Sequence, residues 1–480
     1  MNTINWRIQN TLILDRHDPY KAKLKFHFSQ DNDKEIIISQ KFWAILEPEM
    51  IVVDLSLGEK EKLSSKKIKN IIAKGMKLLK SLDIEDIGID ISDILEDYYF
   101  ELVAGVELSM YEYEGYHKEN KVKTINIYVI AHDGMYMNVK LVTAKDYKTA
   151  QKIETALNIV KGMKITKDWV NTPGNFLTPE KFANSIKETL SNVGCSLNIL
   201  EEAALSCLNM DLIRAIGNSS SNEPRFVVVK YRGNPDSNET IGLVGKGITV
   251  DTGGYNLKTA DGLKYTKDDM TGAATVAGVM YAAATNKLKV NITGIMPICE
   301  NRLSNSSLIP GDVITSMNGK TVEILNTDAE GRLILADALT YAVRIEKVDK
   351  IIDLATLTGA IVSALSHVYT GAFTNNTEFF DKVNQASQEM GEKIWRFPLD
   401  DEYREMIKSK VADLQNIGGK EAGAITAAAF LEEFVEDVPW VHLDIAGTNF
   451  TTSPTNEYET FGATGVMVPT LYRYLEMLQS

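Results

Sequence analysis

Hydrophobic and polar positions change their period repeatedly along this chain, and each change marks an element. Near the N-terminus, short apolar runs at 35–39, 50–55, 87–91 and 123–131 read as strands. Between them, residues 60–82 carry apolar side chains at three- and four-residue spacing, the pattern of an amphipathic helix. A long helical stretch over 147–170 ends at Asn171-Thr172-Pro173-Gly174, because the residue before a proline is pushed out of the helical region. Downstream, apolar runs at 226–231, 242–250, 290–297, 350–355 and 440–445 alternate with helical stretches, among them 271–284 and 333–345. This alternation predicts an α/β chain with a small N-terminal α/β domain over 1–150 and a connecting helix over 151–170. A larger α/β domain over 171–480 follows, with a central mixed, mostly parallel sheet flanked by helices. Polar stretches at 301–308 and 448–460 read as loops suited to a cavity rim or a subunit contact. No internal repeat or low-complexity segment is evident.

Composition narrows the class. At 480 residues with 44% hydrophobic content, the chain can bury a substantial core in two or three domains. The N-terminus lacks a basic-then-apolar signal pattern, and no apolar run approaches the ~20 residues that span a bilayer. A net charge of −14 argues against a general nucleic-acid or anionic-membrane surface. Lys66, Lys67, Lys69, Lys74, Lys77 and Lys80 line one helix and read as a solvated basic face. Cys195, Cys207 and Cys299 stand at unrelated spacings, which fits neither a disulfide framework nor a cysteine zinc site. The cytoplasm is the simplest location.

Candidate chemistry lies in two glycine-dense, apolar-flanked blocks. In Asn326-Thr327-Asp328-Ala329-Glu330-Gly331-Arg332, two carboxylates stand two residues apart at a strand-to-helix junction. Read as an extended segment, that spacing points Asp328 and Glu330 to one side, where they can converge on one metal or on two adjacent metals. Upstream, the block from Val244 to Gly254 is followed by Lys258 and then by Lys267-Asp268-Asp269-Met270. The two blocks supply Asp251, Asp269, Asp328 and Glu330, with the cations Lys246, Lys258 and Arg332. Taken singly, such carboxylates are ordinary helix caps or surface groups. A phosphate-binding loop is excluded, since the pattern of Gly, four residues, then Gly-Lys-Ser/Thr does not occur. The six histidines are scattered without a His-Glu-x-x-His pair, so a metal site here is built from carboxylates, with lysine as the plausible nitrogen ligand.

These motifs resemble the leucyl (cytosol) aminopeptidase family. The resemblance is carried by Asn326–Arg332, Val244–Gly254 and Pro310-Gly311-Asp312-Val313, together with Asn171-Thr172-Pro173 and Leu335-Ala336-Asp337-Ala338-Leu339. Ala355-Thr356-Leu357-Thr358-Gly359-Ala360, His442-Leu443-Asp444-Ile445-Ala446-Gly447 and Gly462-Ala463-Thr464-Gly465 also match. It spans roughly residues 155 to 480 in order, whereas the first 150 residues carry no comparable motif.

The resemblance implies a peptide-bond hydrolase with two divalent metal ions per subunit. Asp251, Asp328 (side chain and main-chain carbonyl) and Glu330 would hold one ion. Lys246, Asp251, Asp269 and Glu330 would hold the other, so that Asp251 and Glu330 bridge. Lys258 and Arg332 match the catalytic positions outside the metal shell, with a bicarbonate ion on Arg332 relaying the proton. Mixed oxygen and amine ligation suits Zn2+, with Mn2+, Co2+ or Mg2+ at the more exchangeable site. The substrates implied are short peptides, and the assembly implied is a homohexamer with the N-terminal domains outside. The pocket for the N-terminal side chain would be formed by Thr266, Thr356, Leu357, Gly359 and Ala446. Thr266 replaces a common methionine and Asn449 an often apolar residue, which predicts a roomier, more polar pocket with weakened leucine preference; the alternative is that Leu263 or Tyr265 refills the space and leucine remains the best substrate. Two other readings are a DNA-binding architectural role, as in some relatives, and another dimetal hydrolase. The acidic balance disfavours the first, and the lack of the histidines and asparagines usual in dimetal phosphoesterases disfavours the second.

Overall fold

The computed structural model describes residues 3–8, 21–28, 36–41, 50–91, 94, 96–116, 124–130 and 144–479. The chain forms two compact units, Met1–Val160 with Ser453–Phe461, and Lys161–Thr452 with Gly462–Ser480.

The first unit is built on a six-stranded sheet of β1 (Thr3–Ile8), β2 (Ala22–Phe28), β3 (Ile36–Lys41), β4 (Met50–Gly58), β5 (Asp86–Asp90) and β6 (Thr124–Ile130). Its order is β1-β6-β5-β2-β4-β3, parallel except at the β3 edge. The outer ends of the expected 35–39 and 123–131 strands lie outside the described residues. Helix α1 runs Ser65–Ser81, not from residue 60, because the Ser64 hydroxyl caps it by accepting the Lys67 N–H at 3.3 Å. Its inner stripe is Ile68, Ile71, Ile72, Met76 and Leu79, the helical period read in the sequence. The basic face is solvated at Lys66 and Lys77, but Lys69 is buried. Its ammonium lies 5.9 Å from the Phe100 ring centroid and 5.2 Å from that of Tyr458, so its chain packs as an apolar stem with a cation–π head. Helix α2 (Tyr99–Ser109) follows, and α3 (Ala144–Asn171) runs on past Val160, so its C-terminal part is counted in the second unit.

The second unit carries α4 (Pro179–Ser191), β7 (Ser196–Leu200), α5 (Glu202–Cys207), α6 (Asp211–Gly217), β8 (Arg225–Arg232), β9 (Thr240–Gly245) and β10 (Gly247–Asp251). There follow α7 (Thr271–Thr285), β11 (Asn291–Asn301), β12 (Val313–Thr315), β13 (Thr321–Glu323), α8 (Gly331–Tyr341) and β14 (Lys350–Ala355). Then come α9 (Gly359–Leu365), β15 (Thr370–Thr374), β16 (Ile394–Arg396), β17 (Leu414–Gln415) and β18 (Trp440–Asp444). The main sheet runs β16-β15-β18-β14-β9-β11-β8-β7, with β10 also paired to β11. Its centre, β18-β14-β9-β11, is parallel. The expected strand 242–250 is two strands broken at Lys246, whose carbonyl turns to the start of α7 and accepts the Ala273 N–H at 2.8 Å.

Strand alternation shows how both sheet faces are covered. Val244, Ile295 and Ile351 belong to a core with Leu333, Leu335 and Leu339 of α8. Gly294 faces the other way, where a Cβ would meet Met280 and Val276 of α7. The small residues of α7 permit close approach. A Cβ on Gly272 would lie 2.2 Å from the Leu354 carbonyl oxygen, which sets the first turn of α7 against the end of β14. The result is that β9, β10, β11, β14 and β18 all end at one edge, the usual place for a site in an open α/β sheet.

Candidate active site

Two of the expected metal ligands sit at ends of those strands, and the other three lie in the turns that lead into α7 and α8. Lys246 follows β9, Asp251 ends β10, and Asp269 lies in the turn leading into α7. Asp328 and Glu330 precede α8, although not from an extended segment as the spacing suggested. Asn326 Oδ1 accepts the Asp328 N–H at 2.8 Å, which bends the chain into a turn. Glu330 already has helical dihedrals, and its carbonyl starts α8. The carboxylates converge all the same: one oxygen each of Asp251, Asp328 and Glu330 lies within 4.8 Å of the others.

The two lysines knit the cluster together. Lys246 Nζ lies 2.7 Å from Asp269 Oδ1 and 2.9 Å from Glu330 Oε1, and donates to the Thr356 carbonyl at 2.9 Å. Lys258 Nζ lies 2.6 Å from both Asp251 Oδ2 and Asp328 Oδ1. Thr356 Oγ1 donates to Asp269 Oδ1 at 2.8 Å. Burial is graded: Lys246, Asp269, Asp251 and Glu330 are buried, whereas Lys258 and Asp328 are partly exposed, so the cluster opens on their side.

The charges shape one another. Burial works against the Lys246 ammonium, but Asp269, Glu330 and Asp251 outweigh it and hold its pKa above the usual lysine value; Lys258 behaves alike beside Asp251 and Glu330. Burial and Glu330 push Asp251 up to about 6, against Lys258 and Lys246. Burial raises Asp269 well above the ordinary carboxylate range despite Lys246. Burial would raise Glu330 too, but Lys246 and Lys258 overcome it and hold this carboxyl low.

Four carboxylates against two ammoniums leave this pocket short of positive charge, and Asp269 Oδ2 is buried without a hydrogen-bond partner. An orphaned buried carboxylate oxygen beside three converging ones is a donor set that fits hard or borderline divalent cations. Of the six histidines, the side chains of His367 and His442 are described. His367 pairs with the Gly447 carbonyl and His442 with Asp353, so neither is a ligand in this cluster.

Arg332 stands apart from the ion pairs. It is buried, donates from Nη1 to the Asn416 carbonyl at 2.7 Å, and leaves its buried Nε–H without a partner. Burial lowers its pKa to about 10, partly countered by Glu330 and Asp444, so it stays cationic near neutrality. The expected pocket residues fall around the same edge. Thr266 reaches the cluster through its carbonyl, which accepts the Asp251 N–H at 3.1 Å. Leu357 and Ala446 are partly buried, and Gly359 opens α9 with nothing within 4 Å of where a Cβ would point.

Asn301 was not among the sequence candidates. It is buried at the end of β11, and its Nδ2 donates to Asp251 Oδ1 at 2.9 Å, to the Thr327 carbonyl at 3.0 Å and to Glu330 Oε2 at 3.4 Å. A polar Glu-Asn pair closing the apolar run Ile295–Cys299 was the available signal. Asn416 was also missed. Its Oδ1 accepts the N–H groups of Leu325 and Asn326 at 2.8 and 3.2 Å, which fixes the entry to the Asp328 turn.

Comparison with known proteins gives this geometry a class. The catalytic-domain model of the cytosol aminopeptidase family matches residues 164–472, and its N-terminal-domain model matches 46–120. A probable cytosol aminopeptidase of Clostridium tetani is 42% identical over 422 residues, 87% of this chain and 86% of that one. One of Fusobacterium nucleatum is 38% identical over 475 residues, 98% and 92% of the two chains. Among solved structures, the bottromycin maturation enzyme BotP in complex with Mn superposes with a TM-score of 0.86 at 27% identity, covering 96% of this chain and 100% of that one. These matches define a peptidase acting at peptide N-termini. The chain belongs to the cytosol aminopeptidase family. Its activity is therefore hydrolysis of peptide bonds, and its substrates are peptides.

Proposed function

We propose that this chain is a dimetal aminopeptidase whose machinery consists of Lys246, Asp251, Lys258, Asp269, Asp328, Glu330 and Arg332. Asp251, Asp328 and Glu330 would hold one divalent ion, and Lys246, Asp251, Asp269 and Glu330 the second. The observation that carries this reading is the convergence of carboxylate oxygens around Asp251, Asp328 and Glu330, joined by the unpartnered Asp269 Oδ2. When bound, the ions acidify the attacking water and polarise the scissile carbonyl. Lys258, held protonated at the open side of the cluster, donates a hydrogen bond where the tetrahedral oxyanion develops. Arg332 keeps its charge in a buried position and offers a free N–H, which suits an anion such as bicarbonate as the proton carrier. Zn2+ fits the donor set, with Mn2+, Co2+ or Mg2+ at the exchangeable position.

The N-terminal side chain would rest against Thr266, Thr356, Leu357, Gly359 and Ala446. Asn449 adds polarity there, since it is buried, hydrogen-bonds the Asp268 carboxylate and donates to Thr271 Oγ1 at 3.3 Å. Short peptides processed in the cytoplasm by a homohexamer complete the reading, with the N-terminal domain outside the assembly. The net charge of −14 disfavours nucleic-acid binding. Metal analysis, light scattering and hydrolysis of aminoacyl-anilides test these points together. Glu330→Ala should lose metal and turnover. Lys258→Ala and Arg332→Ala should keep metal and lose roughly 10²–10³-fold in rate. Near wild-type turnover in the Glu330 variant overturns the assignment, and a mass of 53.3 kDa in light scattering overturns the hexamer.

A further inference from the structure

The substrate loop 356–359 and the segment 444–446 leave adjacent parallel strands, β14 and β18, at the point where Ala355 faces Asp444 in register. Beyond it, one ladder bond persists, from the Ile445 N–H to the Ala355 carbonyl at 2.8 Å. The two pocket walls therefore need something other than the sheet to hold them together. Asp444 occupies that position. It is fully buried, and its Oδ1 accepts the N–H groups of Leu357 and Ala446, each at 3.2 Å. Its Oδ2 accepts the Thr358 hydroxyl at 2.7 Å, and that same hydroxyl caps α9 by accepting the Ile361 N–H at 3.1 Å. On its far side the loop is tied to the cluster through Thr356, whose carbonyl receives Lys246 and whose hydroxyl reaches Asp269.

Asp444 is itself backed by a polar ladder inside the sheet. Trp440, His442 and Asp444 alternate along β18 and so share one face. Trp440 Nε1 donates to Asp353 Oδ2 at 2.5 Å, and Asp353 Oδ1 pairs with His442 Nδ1 at 2.6 Å, all fully buried. Nothing in the proposed metal or proton chemistry uses this row, yet it ends on the carboxylate that joins both pocket walls.

We infer that Asp444 is a positioning residue that sets the 356–359 loop against Ala446 and thereby fixes the pocket for the N-terminal side chain. This rests on the proposed aminopeptidase reading of the site and deepens it. A pocket that grips ground state and transition state alike affects binding of substrate and product more than the chemical step. Asp444→Ala leaves two part-buried N–H groups without their acceptor, whereas Asp444→Asn can retain both and loses only the correct partner for Thr358.

The test measures kcat and KM for leucyl, alanyl and arginyl anilides, metal content, and the affinity for free leucine by calorimetry, which needs no turnover. For Asp444→Ala, KM for the leucyl substrate and Kd for leucine should each rise roughly tenfold or more. The expected kcat stays within about threefold and metal content is unchanged, because the variant leaves the metal ligands and Lys258 in place. Asp444→Asn should recover most of the loss. If Asp444→Ala does not fold, Thr358→Val, which deletes one of the three bonds, should move KM and Kd the same way. Unchanged leucine affinity in a folded, metal-loaded variant overturns the inference, as does loss of metal and kcat together. Absence of turnover in the wild type counts instead against the aminopeptidase reading, and leucine affinity still decides the role of Asp444.

Discussion

Asn301→Ala is the perturbation that most directly tests whether the carboxylate cluster is held ready by its surroundings. The amide donates to Asp251 Oδ1 at 2.9 Å and to the Thr327 carbonyl at 3.0 Å, with a longer contact to Glu330 Oε2 at 3.4 Å. Asp251 Oδ1 keeps a second donor, the Gly253 N–H at 3.0 Å, so its loss falls at the low end of the range for a buried acceptor. The Thr327 carbonyl falls nearer the middle. Each buried acceptor left without its donor costs ~1–3 kcal/mol, which gives a combined penalty of about 2–4 kcal/mol. Part of it appears as lower stability of the metal-free protein and part as weaker metal binding, because the freed Asp251 carboxylate can rotate. Removing such an outer partner typically weakens metal affinity by about 10–100-fold. Chelator competition against zinc and manganese measures that affinity, and thermal unfolding of the metal-stripped protein measures the remainder. Affinity within about threefold of wild type, with unfolding unchanged, would refute the idea that Asn301 orients Asp251.

Other consequences follow from the same geometry. Gly331→Ala places a Cβ 2.5 Å from Lys246 Cε and 2.7 Å from its Nζ, so the lysine must leave Asp269 and Glu330. At ~1–3 kcal/mol for overpacking, kcat/KM and metal affinity should both fall by roughly tenfold or more in a protein that still folds. Thr266→Met should raise the leucine preference by up to roughly tenfold over seryl and arginyl substrates, the scale of methylene-sized contacts; the ratios of kcat/KM measure it, and a wild-type enzyme already tenfold better on leucine than on all others would refute the polar-pocket reading. Asp337 is pushed up to about 7 by burial, against the N–H groups of Met317, Ile213 and Leu212. Its folded pKa lies above the unfolded one, so its contribution is complete below about pH 4 and is lost as pH rises through about 7. Stability relative to Asp337→Asn should fall by about 1.4 kcal/mol per pH unit in that window, and a flat difference in urea titrations would contradict it.

Much of the chemistry was legible because it is carried by residue types with few alternative uses. Four carboxylates and two lysines in glycine-dense, apolar flanks have little structural reason to be there, and the structure gathers them. Asn301, Asn416 and Asp444 could not be read in the same way, because an amide or a carboxylate acquires its partners only when distant segments meet. Asn416 reaches Leu325 and Asn326 across some ninety residues of sequence, with separations of 91 and 90. The Asp328 turn was misread for a related reason: a two-residue carboxylate spacing fits a strand, but the Asn326 side chain competes for the backbone and wins. Strand 242–250 was likewise read through its break, since hydrophobic period does not register the Lys246 carbonyl accepting the Ala273 N–H at the start of α7. Lys69 shows the same limit on the first helix, where the rings of Phe100 and Tyr458 help distinguish it from its solvated neighbours.

The short segment Ser453–Phe461 belongs to the first unit although it lies near the end of the chain. It is held there by Glu457, whose N–H donates to Asn70 Oδ1 at 2.7 Å and whose carboxylate meets Lys77 at 3.1 Å, and by Tyr458 over Lys69. During synthesis, the ribosome must therefore deliver residues 161–452 before the first unit can be completed. At ~5–20 residues per second that interval is roughly 15–60 s. A nascent chain stalled anywhere in the catalytic region cannot release a finished N-terminal unit, so truncated translation products carry an unclosed surface on α1 that chaperones and proteases can recognise.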